Sequence, residues 1–146
     1  MIKEELHIHN LTSIVSPKIL LVDDNESINF FNKIIIKKFN DQSTIVTCKN
    51  GFEAIKEIEQ LFKQKLSFDI IFLDINMPVM DGWEFLDELK KNDLRITNTK
   101  IIFTIGRKLN NEDKDRINAY NLNYSFSKKM ISKEYLSEIT LPVTNC

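Results

Sequence analysis

The chain has 146 residues, a length that one domain with a sizeable core accommodates. Its formal net charge of -1 excludes the whole-molecule attraction for nucleic acid or an anionic membrane surface that a strongly basic chain would have. Two cysteines, Cys48 and Cys146, with no CxxC or Cys/His spacing, offer neither a disulfide framework nor a thiolate metal site, so a cytoplasmic setting is expected.

Residues 1–17 have weak periodicity and end at Pro17, which reads as an N-terminal leader. They lack the apolar core of a secretion signal, and no stretch of the chain approaches a membrane span. His7 and His9 have no further ligands to join them at a metal.

From Lys18 onward strand-like and helix-like segments alternate. Ile19–Val22 is a short apolar run, hence a strand, and it ends in Asp23-Asp24. Across Glu26–Phe39, Ile28, Phe31, Ile35 and Phe39 recur at helical spacing. Thr44–Cys48 is β-branched and short, a second strand, and Asn50-Gly51 supplies a turn. Phe52–Phe62 reads as a helix with Ala54, Ile55, Ile58, Leu61 and Phe62 inward.

Ile70–Leu73 is a third strand that ends in Asp74, and Met77-Pro78 with Asp81-Gly82 bends the chain away. Trp83–Lys91 is a helix whose face is Trp83, Leu86 and Leu89. A polar loop over 92–100 precedes a fourth strand, Ile101–Ile105. A polar helix follows over Asn111–Tyr120, capped by Asn110 or Asn111, then a weak strand near Tyr124–Ser127 and a last helix, Lys133–Ile139.

Five strands alternating with helices predict an α/β fold with right-handed crossovers and a parallel sheet covered on both faces. One domain over 18–141, a tail at 142–146 and no separate output domain are expected. Asp23, Asp24 and Asp74 then stand at one sheet edge, where open α/β sheets bind ligands. Either acidic group alone could merely cap a helix. Three like charges held together need protons or a cation, and an all-oxygen donor set suits Mg²⁺.

These residues resemble the receiver domains of two-component response regulators. The match runs from about Lys18 to Leu141 and rests on Leu21-Val22-Asp23-Asp24-Asn25, Lys49-Asn50-Gly51-Phe52-Glu53-Ala54-Ile55 and Phe72-Leu73-Asp74-Ile75-Asn76-Met77-Pro78-Val79-Met80-Asp81-Gly82. The resemblance implies a flavodoxin-like doubly wound sheet of strand order 2-1-3-4-5. It implies Asp74 as phosphoacceptor, Asp24 as a direct Mg²⁺ ligand, Asp23 acting mainly through coordinated water, and Asn76 contributing its backbone carbonyl. It implies Lys129 as the phosphoryl-binding lysine, with Lys128 the alternative if the register slips, and Phe126 as the aromatic that reorients on activation. A solvated Lys128-Lys129 pair is the plain alternative.

Two departures stand out. The family's lysine precedes a cis proline, whereas Met130 stands here; a non-proline cis bond costs roughly 2.5–4 kcal/mol, so the turn either differs or is trans. The family also places Thr or Ser at the end of the fourth strand. Counting back from Leu109-Asn110 puts Gly106 at that position, while Thr104 is the nearby hydroxyl, and both registers stay open.

The resemblance implies a stand-alone receiver, not an enzyme, that takes a phosphoryl group from a sensor histidine kinase or a histidine phosphotransfer protein. It would signal to a downstream protein, with no nucleic acid or membrane partner, and could form a homodimer through the face of the fourth helix, fifth strand and last helix (the α4–β5–α5 surface). The alternative is a degenerate receiver that docks independently of phosphorylation. An aspartyl phosphatase is a third reading, opposed by Asn76, where that chemistry wants a second acid.

Overall fold

A computed structural model of the protein describes residues 16–94, 96 and 98–139. His7, His9, most of the leader, and the tail with Cys146 lie outside the described residues. The elements alternate as β1 (Lys18–Val22), α1 (Glu26–Phe39), β2 (Thr44–Cys48), α2 (Gly51–Lys63), β3 (Ile70–Asp74), α3 (Gly82–Lys91), β4 (Lys100–Thr104), α4 (Asn111–Ala119), β5 (Tyr124–Ser127) and α5 (Lys133–Glu138). The strands form one parallel sheet in the order β2-β1-β3-β4-β5, the doubly wound order expected.

Period-two alternation along the strands divides the core. Leu20, Val22, Ile71, Leu73, Ile101 and Phe103 pack with residues of α2, α3 and α4, such as Ala54, Phe85, Leu86 and Ile117. Ile19, Leu21, Ile70, Phe72 and Ile102 pack with Ile36 and Phe39 of α1 and Leu136 of α5. Both faces of β1 and β3 are therefore covered, which is why their sequences read as continuous apolar runs.

Caps set the helix starts. The Asn25 side chain accepts from the backbone N–H of Ser27 and Ile28, which begins α1 just beyond the Asp23-Asp24 pair. Asp81 and Glu84 form a capping box on α3, and Asn110 and Asp113 form one on α4, so Asn110 rather than Asn111 is the cap.

The structure corrects several boundaries and faces. The most buried stripe of α1 is Asn29, Asn32, Ile36 and Phe39, while Ile28, Phe31 and Ile35 are half-buried beside it. Phe62 is exposed rather than inward, because α2 is ending there and Leu61 already closes that side. Phe85, missing from the sequence reading of α3, is fully buried. β4 runs one residue earlier than expected and ends on Thr104. None of the described helices is long and apolar enough to cross a membrane.

Candidate functional site

The ends of β1 and β3 deliver the acidic residues to one place. Ligand oxygens of Asp23, Asp24 and Asp74 all lie within 4.8 Å of one another. Asp23 and Asp74 are buried, and Asp24 is exposed. The turn that carries Asp23 is tied from both sides: Asn25 N–H donates to Asp23 Oδ1 at 2.9 Å, and Asn29 Nδ2 donates to the carbonyls of Asp23 at 2.9 Å and Cys48 at 3.2 Å. Asn29 thus joins α1 to the ends of β1 and β2.

Of the two lysines after β5, Lys129 enters the site. Its Nζ is 2.8 Å from Asp74 Oδ1 and 3.4 Å from Asp23 Oδ2, while Lys128 is exposed. The turn beyond it is trans, since no cis peptide bond occurs among the described residues. The buried Asn32 amide brackets Met130: Nδ2 donates to the Lys129 carbonyl and Oδ1 accepts from Ile131 N–H, each at 2.9 Å. Asn29 and Asn32 were not legible as site residues. Their signal is two polar side chains three positions apart on the buried stripe of an otherwise apolar helix face.

The loop after Asp74 is tightly closed. Gly82 N–H donates to the Ile75 carbonyl at 2.7 Å, and Gly51 N–H donates to the Met80 carbonyl at 2.9 Å. A Cβ on Gly82 would stand 2.7 Å from Ile75 Cα and 2.9 Å from the Asp74 carbonyl oxygen, so only glycine fits there. Met80 N–H bonds the Pro78 carbonyl at 2.8 Å across Val79, whose φ of 68° is strained for a β-branched residue.

Asp74 Oδ1 accepts from Lys129 and, at 3.3 Å, from Asn76 N–H. Oδ2 is buried without a hydrogen-bond partner. Burial pushes the Asp74 carboxyl above its ordinary pKa; Lys129 opposes the shift and the neighbouring Asp23 charge adds to it. Burial works to lower the Lys129 ammonium, but Asp74 and Asp23 outweigh it and hold lysine above its ordinary value.

A cavity of about 210 Å³ opens beside these groups and is lined by Asp74, Asn76, Thr104, Gly106, Arg107 and Lys129, with Ile75, Ile105 and Leu109. Thr104 is in register with Asp74 across the β3–β4 ladder and is the hydroxyl residue of that lining. Gly106 also lines it, and a Cβ there would rest 3.7 Å from Lys129 Cε. Both candidates for the hydroxyl position therefore face the cavity. Arg107 is an unexpected second cationic residue of that lining, beside Lys129. Phe126 is 38% exposed, with its ring 5.9 Å from Phe103 and edge-on to Tyr124 at 5.5 Å.

The residues present fit a hard divalent cation. The donors are oxygens, one buried carboxylate oxygen has no partner, and the Lys129 ammonium pairs with two of the three carboxylates, Asp23 and Asp74.

The family model of the response regulator receiver domain matches residues 19–140. The chain is 31% identical over 119 residues to the probable transcriptional regulator ycf29 of Porphyra purpurea, covering 80% of this chain and 52% of that protein. It is 36% identical over 76 residues to the chemotaxis protein CheY of Listeria monocytogenes, covering 52% of this chain and 59% of that protein. The chain thus spans about half the length of the curated relatives it matches. A two-component response regulator from Cytophaga hutchinsonii superposes with a TM-score of 0.71 at 27% identity, covering 84% of this chain and 92% of its own. The receiver domain of the histidine kinase CKI1 from Arabidopsis thaliana complexed with Mg²⁺ gives 0.64 at 26% identity, covering 85% and 87%.

Proposed function

We propose, from the premise that the chain belongs to the response regulator receiver domain family, that it accepts a phosphoryl group on Asp74 from a phosphohistidine donor in a Mg²⁺-dependent reaction. The observation that carries this reading is the state of the Asp74 carboxylate: Oδ1 is held by Lys129 and Asn76 N–H, while Oδ2 is buried, unpartnered and beside two further carboxylates.

The chemistry assigned to this chain follows. Asp74 forms an O–P bond as the P–N bond to the donor imidazole breaks, and the imidazole leaves with that electron pair. A carboxylate is a weak nucleophile, so orientation and charge neutralisation must supply most of the acceleration. Lys129 offers its ammonium to a phosphoryl oxygen, and the raised pKa keeps it protonated. Asp23, Asp24, Asp74 and the Asn76 carbonyl are the assigned Mg²⁺ ligands, and the ion would neutralise charge on the transferring group. The donor is a sensor histidine kinase or histidine phosphotransfer protein in the cytoplasm. Output passes through protein contacts on α4, β5 and α5, a second copy included.

Incubation with Mg²⁺ and acetyl phosphate, followed by intact mass measurement, tests the reading. A single phosphoryl adduct that Asp74→Asn abolishes is expected. An unmodified wild type, under conditions that label another receiver, would leave a phosphorylation-independent docking module as the better account.

A further inference from the structure

We infer that Arg107 is a second phosphoryl-binding cation of this chain, one that leaves Asp113 for the phosphoryl oxygens when Asp74 is modified. The inference rests on the phosphoacceptor reading of Asp74. Arg107 lines the same cavity as Asp74 and Lys129. It follows Gly106, whose missing Cβ would stand 3.7 Å from Lys129 Cε with nothing nearer. The Cα of Arg107 therefore stands one residue, about 3.8 Å along the chain, from the backbone that flanks the lysine. No side chain at position 106 stands between them.

Arg107 is only loosely committed at present. Nη1 bonds Asp113 Oδ2 at 2.9 Å and the Lys108 carbonyl at 3.3 Å, and 49% of the side chain is exposed. Both bonds use one nitrogen of a fork that carries five donors. The pair is open to solvent on the arginine side while the Asp113 side chain is 13% exposed, so Arg107 is the partner with room to leave. The Arg107 hydrogen bond is the main cause that holds Asp113 below its ordinary carboxyl pKa, and an aspartate without that bond is still a carboxylate at neutral pH.

A phosphoryl group changes the competition. It replaces one carboxylate charge at Asp74 with a dianion bearing three acceptor oxygens. A planar guanidinium fork can take two of those oxygens together, which a single ammonium does not. The exchange moves hydrogen bonds only; every proton stays on the guanidinium. Asp113 is the third residue of α4 and part of its capping box, and its freed charge suits the helix N-terminus. The exchange would carry the modification of Asp74 to the start of α4 without a hydroxyl at Gly106.

Titration of the full chain with beryllofluoride in Mg²⁺, read by amide shifts in two-dimensional NMR, provides the test. Wild type should bind and Asp74→Asn should not; a wild type that fails to bind defeats the phosphoacceptor reading itself. With wild-type binding established, Arg107→Gln should weaken affinity by about tenfold, the scale of one charge-assisted hydrogen bond. Arg107→Lys should fall between, and Asp113→Asn, which keeps a capping acceptor but removes the competing charge, should bind more tightly than wild type. Arg107→Gln and Asp113→Asn both within twofold of wild type would overturn the role of Arg107 while leaving Asp74 as acceptor.

Discussion

The side-chain amide of Asn32 donates to the backbone carbonyl of Lys129 at 2.9 Å, across 97 residues of sequence. With its Oδ1 it accepts from Ile131 N–H, so a helix at the front of the chain sets the turn that presents the site lysine. Replacing Asn32 by Ala would leave two polar backbone groups unpaired, one of them fully enclosed. We expect a loss of about 2–4 kcal/mol in urea unfolding, together with slower phosphoryl uptake by Asp74. A cost within experimental error would show that the turn holds itself.

Val79 occupies a φ of 68° while 80% exposed, so its side chain gains little from packing to offset the strain. Asparagine tolerates this region far better. Val79→Asn should raise stability by about 1 kcal/mol, seen as a higher urea midpoint at unchanged slope. An unchanged midpoint would mean that the loop relaxes freely around valine.

The glycines should separate sharply. Gly82→Ala drives a Cβ to 2.7 Å from Ile75 Cα and 2.9 Å from the Asp74 carbonyl, and about 1–3 kcal/mol of destabilisation is expected. At Gly106 the same addition meets only Lys129 Cε at 3.7 Å. Gly106→Thr should fold normally and strengthen a phosphorylation-dependent spectral shift. If the shift does not change, Thr104, in register with Asp74, already serves as the hydroxyl.

Asp74 titrates above its ordinary value, chiefly through burial, so the folded chain binds that proton more tightly than the unfolded chain does. Ionising it therefore costs stability. The cost is absent below the ordinary carboxyl pKa and complete once pH exceeds the raised folded value. Lys129 is raised too, and its contribution holds below the ordinary lysine pKa and is lost only as alkaline pH passes the folded value. At neutral pH without divalent ions, Asp74→Asn should melt above wild type, and acidification should close the gap. Mg²⁺ should raise the wild-type melting temperature and leave the variant nearly unmoved. Identical melting of both proteins with and without Mg²⁺ would remove the electrostatic basis for the cation site.

Much of this was legible because it was local. Apolar runs ending in Asp23-Asp24 and Asp74 carry strand, edge and charge in consecutive residues, and the motif around Asp74 to Gly82 fixes the bend. Other features depend on contacts distant in sequence. Asn29 and Asn32 look like interruptions of an apolar stripe until their partners at residues 23, 48, 129 and 131 are in place. The family spacing after Phe126 already pointed to Lys129, and its contacts with Asp74 and Asp23 set the Lys128 alternative aside. Arg107 gave no signal, because its significance comes from Gly106 having no side chain beside Lys129.

β5 lies at an edge of the sheet, has four residues, and none of them is fully buried. Segments with little burial open at lower free energies than core strands do. The site lysine follows directly from that strand, so hydrogen exchange over 124–129 should outpace exchange in β1 and β3, where the carboxylates are anchored. Gentle warming would then release the cation from the site while the acidic end stayed in place. The 2.8 Å contact of Lys129 with Asp74 is thus expected to loosen at a lower temperature than β1 and β3 unfold.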